Sequence, residues 1–105
     1  MGVKVRESKF QRQVINYLEN KGAYVEKMHV SSYQRGGSPD VRGCYKGRYF
    51  AFELKAKGGK AEELQKIKLQ RIRDAGGVAF ATDSLEEIKE VLHEISRVQS
   101  GSKPK

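Results

Sequence analysis

Apolar residues recur at helical spacing over positions 6–21, where Phe10, Val14, Tyr17 and Leu18 fall on one arc. The spacing predicts a first helix there, closed by Gly22, which suits a left-handed C′ position. "AYVEKMHV" then reads as a strand, and the polar, glycine-containing "SSYQRGGS" as a loop. Positions 41–45 and 48–55 alternate as two further strands joined at Lys46-Gly47, and "AKGGK" follows as a basic loop. A second helix is predicted over 61–75. Glu62 and Glu63 lie in its first turn, where the helix dipole favours acids, and Gly76-Gly77 stops it. "VAFAT" is a short buried strand. Ser84 and Glu87 match a capping box, and Leu85, Ile88, Val91, Leu92 and Ile95 form the apolar stripe of a third helix. "QSGSKPK" reads as a disordered basic tail, so residues 1–97 form the expected domain and 98–105 the tail. No internal repeat is visible. The order αβββαβα defines a mixed α/β domain.

A chain of 105 residues holds one modest core, and 37% hydrophobic content rich in aromatic and β-branched residues favours a folded globule. Charge narrows the partners. The net charge is +8, which points first to a polyanion such as nucleic acid and second to an anionic surface. No stretch is long or apolar enough to span a bilayer, and the N-terminus lacks the apolar region of a secretory signal. The single cysteine, Cys44, excludes an internal disulfide and a cysteine-based zinc site, and a reducing cytoplasmic setting is expected.

The candidate chemistry lies in "GGSPDVRGCYKGRYFAFELKAKGG". With a two-residue turn at Lys46 and Gly47, Tyr45 pairs with Arg48, and counting outward sets Asp40 opposite Glu53. Residues so opposed have Cβ atoms about 4.5–5.5 Å apart, where like charges are destabilising. Alternation gives one apolar face (Val41, Gly43, Tyr45, Phe50, Phe52, Leu54) and one carrying Asp40, Arg42, Cys44, Tyr49, Ala51, Glu53 and Lys55. Two adjacent carboxylates need compensation. Either one is protonated, or a divalent cation lies between them, a hard ion that takes oxygen ligands and substrate phosphate. Lys55 shares their face and can pair with the acids or contact a phosphate and an attacking water. Glu-x-Lys alone is usually a solvated charged face, and Pro-Asp alone is usually turn chemistry. Their cross-strand register on a basic protein points to metal-assisted phosphodiester hydrolysis.

The helices add polar candidates. Glu7 lies on the apolar arc of the first helix, either as a dipole-favoured first-turn acid or as a carboxylate aimed inward at a metal. Gln65 falls on the inward arc of the second helix with Lys68 near it. It either orients phosphate or water or is a hydrogen-bonded boundary residue. Gln70 points to solvent. His29 and His93 have no partner at metal-ligand spacing, and Cys44 is expected to pack under a helix. Arg35, Lys46, Lys57, Lys60 and Lys68 are candidate phosphate contacts, which supply affinity without sequence information.

"SPD…FELK", with the αβββαβ order and "LQ…AGG", resembles the PD-(D/E)XK nuclease superfamily, and within it the stand-alone virus-type replication-repair nuclease (VRR-NUC) domain of phages and bacteria. The resemblance covers about residues 7–82 and implies a restriction-endonuclease-like domain with a mixed central sheet flanked by helices. It implies that Asp40, Glu53 and the Leu54 carbonyl ligate Mg²⁺ or Mn²⁺, that Lys55 is the catalytic lysine, that Glu7 is a further acid and that Gln65 supports the site. "KGGKAEELQ" departs from the pattern, since similar domains often carry Ser-Pro before the glutamine. The implied activity is that of a DNA endonuclease, plausibly on branched substrates such as four-way junctions. Cutting two strands symmetrically needs two sites, so a homodimer is expected. A non-catalytic nucleic-acid-binding module is the alternative.

Overall fold

In the computed structural model, Lys46 and Gly47 take φ of 49° and 82°, the paired positive values of a type I′ turn. That turn matches the right-handed strand twist and closes a hairpin between β2 (Val41–Tyr45) and β3 (Arg48–Leu54) with Tyr45 opposite Arg48. The residues described are 2–27, 40–55 and 62–101, the side chains of 2–8 and 99–101 excepted. The remaining elements are α1 (Gly2–Asn20), β1 (Tyr24–Lys27), α2 (Glu63–Asp74), β4 (Val78–Thr82) and α3 (Leu85–Gly101). The predicted αβββαβα order is the observed one. The helix ends differ from expectation in detail: α1 starts at Gly2, and α3 continues to Gly101, into the stretch read as tail. Of "AYVEKMHV", residues 24–27 form the strand and 28–30 lie outside the described residues, as do "SSYQRGGS" and "AKGGK".

The sheet runs β1-β2-β3-β4, antiparallel across the first three strands and parallel between β3 and β4. A parallel pair requires a crossover, and α2 supplies it. Alternation divides the two faces. Val41, Tyr45, Phe50, Phe52 and Leu54 pack with Val14 and Leu18 of α1 and Ile88, Leu92 and Ile95 of α3. The Phe52 ring stacks on both Phe50 and Phe80, with centroids 5.1 Å apart in each case. The other face is thinner. There Leu69 and Ile72 of α2 rest on Ala51, Ala79 and Ala81, small residues that let the helix sit close to β3 and β4.

Helix ends fix where the site residues fall. α1 and α2 both close with paired bonds, Ala23 N–H to the Leu18 carbonyl and Gly22 to Glu19, then Gly77 to Ile72 and Gly76 to Arg73. These are Schellman closures, with Gly22 and Gly76 at positive φ. At the start of α2, Glu62 and Gln65 form a capping box, in which Gln65 Oε1 accepts the Glu62 N–H at 2.9 Å. The capping box predicted for α3 is altered. Ser84 Oγ accepts the Glu87 N–H, but the Glu87 carboxylate takes the Thr82 hydroxyl and the Ser84 N–H donates to Thr82 Oγ1. Thr82, buried beside Leu54 in the ladder, is the closer partner.

Candidate active site

The hairpin ladder ends one pair short of the carboxylates. Val41 faces Phe52, and the Asp40 N–H donates to that same Phe52 carbonyl at 3.1 Å. Two residues of one strand thus share one of the other, as in a β-bulge, and Asp40 is re-aimed. Its Oδ2 accepts the Leu54 backbone N–H at 2.7 Å. The sequence-derived register therefore holds up to Val41 and needs correction at Asp40: the acid is bulged against Phe52 and tied to Leu54, and it is not a ladder partner of Glu53. Its charge still acts on Glu53.

Glu53 lies on the thin face, where the first turn of α2 closes over it and leaves it 5% exposed. Its Oε2 accepts Gln65 Nε2 at 2.6 Å and meets the Lys55 ammonium at 3.3 Å. Its Oε1 is buried with no hydrogen-bond partner. A buried carboxylate oxygen left in that state costs more than the roughly 1–3 kcal/mol of a neutral group. Burial pushes the Glu53 carboxyl up to about 7, the charge of Asp40 adds to the rise, and Lys55 and Gln65 oppose it.

The strand direction adds a further oxygen. In an extended strand the N–H and C=O of one residue point to the same side. The Leu54 N–H points to Asp40, so its carbonyl faces that side, while the Lys55 N–H turns to the Thr82 carbonyl at 2.9 Å. Asp40, Glu53 and the Leu54 carbonyl are hard oxygen donors at one end of the sheet. With the unpartnered Glu53 oxygen, they fit a divalent cation that binds through one or two carboxylates and a phosphate. Among the described residues there is no group of three or more His, Cys, Asp or Glu suited to a metal, so the acids at this position are two. Glu7 lies in α1, but its side chain is outside the described residues.

The structure brings Asp40, Glu53, Lys55 and Gln65 together. Lys46 sits at the hairpin turn, at the far end of β2 and β3, with its ammonium 5.6 Å from the Tyr45 ring centroid. Lys68 was placed near the inward arc but is exposed, because its long stem reaches water from the flank of α2. Arg35, Lys57, Lys60 and His29 lie outside the described residues. Gln70 is exposed as expected, and His93 is exposed as well. Cys44 is also exposed, contrary to expectation, because α2 covers β3 and β4 and leaves β2 open. Sequence reasoning missed Tyr24, Glu26, Arg42 and Tyr49, which link across the open part of the same face. Alternation had already put Arg42 and Tyr49 on that face, but nothing local signalled that β1 would bring Tyr24 and Glu26 beside them.

Two acids lie at the end of a mixed α/β sheet, one of them buried under a crossover helix, and the class this defines is one of fold. The fold within that class is the VRR-NUC fold. A solved structure described as "VRR_NUC domain" superposes with a TM-score of 0.67, covering 84% of this chain and 95% of that one at 23% sequence identity. No protein-family model and no curated protein matches the chain. Among the described residues, no helix is long and apolar enough to cross a membrane.

Proposed function

We propose that the protein is a divalent-metal-dependent DNA endonuclease that hydrolyses phosphodiester bonds, with branched DNA such as four-way junctions as its target. The observation that carries this is the buried Glu53 oxygen without a partner, beside Asp40 and the Leu54 carbonyl, while Lys55 and Gln65 occupy the other oxygen. The nuclease-type fold of the matched structure and the +8 charge support the same reading.

Asp40, Glu53 and the Leu54 carbonyl would hold Mg²⁺ or Mn²⁺, with Glu7 as a further acid from α1. That ion would supply polarisation of the scissile phosphate and a lowered pKa for a bound water. Gln65 fixes the Glu53 carboxylate by its 2.6 Å bond to Oε2, which leaves Oε1 as the oxygen without a hydrogen-bond partner. Lys55, half-buried beside Glu53, holds a positive charge where a phosphate oxygen or an attacking water would arrive. Each chain carries one such site, so symmetric cutting of two strands calls for a homodimer acting in the cytoplasm.

The test is incubation of labelled plasmid and four-way-junction DNA with Mg²⁺ or Mn²⁺, with and without EDTA. Cleavage is expected to need the metal and to disappear in Asp40→Ala and Lys55→Ala, while DNA binding survives. Binding without cleavage in the unaltered protein would replace this reading with that of a non-catalytic nucleic-acid-binding module. Cleavage that persists in both variants would refute the site.

A further inference from the structure

The face that carries Glu53 continues past α2. Paired residues share a face, so Arg42 beside Ala51 and Cys44 beside Tyr49 lie on it, and β1 adds Glu26 beside Arg42 and Tyr24 beside Cys44. α2 packs on Ala51 and Ala79 and leaves this half-sheet open. Tyr24 is 63% and Tyr49 42% exposed, high values for tyrosines within strands.

The open half-sheet is organised by side chains. The Tyr24 hydroxyl donates to Glu26 Oε2 at 2.8 Å, and Arg42 Nε donates to Glu26 Oε1 at 3.0 Å. The Arg42 guanidinium, held first by Glu26, also has the Tyr49 phenol as a neighbour. Tyr24 is thus tethered to a central ion pair that Tyr49 adjoins, and the small Cys44 lies between the two tyrosines. By strand spacing the two stand about 9–10 Å apart. Tyr49 also forms one wall of an open groove of about 400 Å³, with Arg48, Ile72 and the Gly76-Gly77 backbone. Along the uncovered strand β2, Asp40 lies four residues from Cys44, about 13 Å, a span of a few nucleotides.

We infer that this half-sheet binds an unpaired DNA strand, whose bases stack on Tyr24 and Tyr49 while its backbone runs over the exposed Arg42 and Cys44 of β2 toward Asp40. Exposed aromatic rings on a sheet are a recurrent platform for unpaired bases, because every base offers a π-face. The arginines and the +8 net charge suit the phosphates. A paired duplex hides its base faces and gains nothing from the rings. The direction of the strand rests on the nuclease reading, whereas the stacking itself does not.

The experiment is done in EDTA, so that no cleavage occurs. Affinity for a twelve-nucleotide oligo-dT and for a blunt duplex of equal length is measured by fluorescence anisotropy, and alkylation of Cys44, the single cysteine, by a maleimide is timed with and without each. Oligo-dT is expected to slow the alkylation. Tyr24→Ala and Tyr49→Ala are each expected to weaken oligo-dT binding about 5- to 100-fold, with duplex binding within about twofold. Tyr24→Phe and Tyr49→Phe keep the rings and are expected to keep the affinity. Unchanged oligo-dT affinity in both alanine variants, unslowed alkylation at saturation, or an equal loss on duplex would overturn the platform. A protein that never cleaves DNA yet gives the expected binding results loses the nuclease reading and keeps the platform. Metal-dependent cleavage with tyrosine-independent binding does the reverse.

Discussion

Glu53 carries opposing demands in one side chain. The first turn of α2 removes it from water, Lys55 and Gln65 hold one oxygen, and the other has no hydrogen-bond partner among the described residues. Its folded-state pKa of about 7 lies above the ordinary 4.5, so near pH 6 the folded metal-free protein keeps a proton that the unfolded chain releases. The stabilising contribution is therefore complete below about pH 4.5 and is lost as pH rises through about 7. Thermal melts in EDTA between pH 5 and 8 are expected to show stability falling by about 2–3 kcal/mol with rising pH. Glu53→Gln, which carries no titrating proton, is expected to flatten that slope. An equal slope in the variant would show that another group is responsible. The acids and Lys55 were legible in the sequence because alternation alone decides which strand residues share a face. Gln65 was legible only as an inward-arc residue, because its bond to Glu53 depends on where α2 docks.

At the scale of elements, the hairpin and the crossover helix divide the work. The turn sets the ladder, but the bulge at Asp40 trades one backbone pairing for a carboxylate bond to Leu54. Period-two counting cannot foresee that exchange, since it assumes that every residue keeps its place in the pleat. β1 is joined to β2 closely at Gly43, where an added Cβ would lie 1.8 Å from the Tyr24 carbonyl oxygen. A backbone atom cannot rotate away as a side-chain tip can. Gly43→Ala is therefore expected to cost at least about 2 kcal/mol in chemical denaturation, by pushing β1 off the sheet. Loss of the Tyr24 contribution to oligo-dT binding in the same variant would tie the two effects to one strand. A stability change below about 0.5 kcal/mol would mean that β1 does not sit as described.

For the whole molecule, charge and symmetry are the questions. Among the described residues one chain offers one pair of carboxylates at one end of its sheet, and under the proposed nuclease reading that pair would serve a single scissile phosphate. Light scattering on a sizing column at micromolar concentration is expected to give twice the 11.9 kDa chain mass. A single-chain mass across that range would remove the homodimer and leave the site itself untouched. The net charge follows from composition and needs no fold. Whether that charge gathers along the path to Glu53 is a property of the folded surface.

Local pattern determined the element order, the hairpin turn, the division of β2 and β3 into two faces and the shared face of Glu53 and Lys55. These follow from helical and strand periodicity and from turn chemistry, all short-range along the chain. Tertiary structure alone decided that α2 would cover β3 and β4 but not β2, which buried Glu53 and left Cys44 in the open. It also brought Tyr24 and Glu26 to Arg42 from 16 or more residues away. Such contacts depend on which small residues let a helix settle and which strands become neighbours, choices made by packing across the sheet and invisible in any window of sequence.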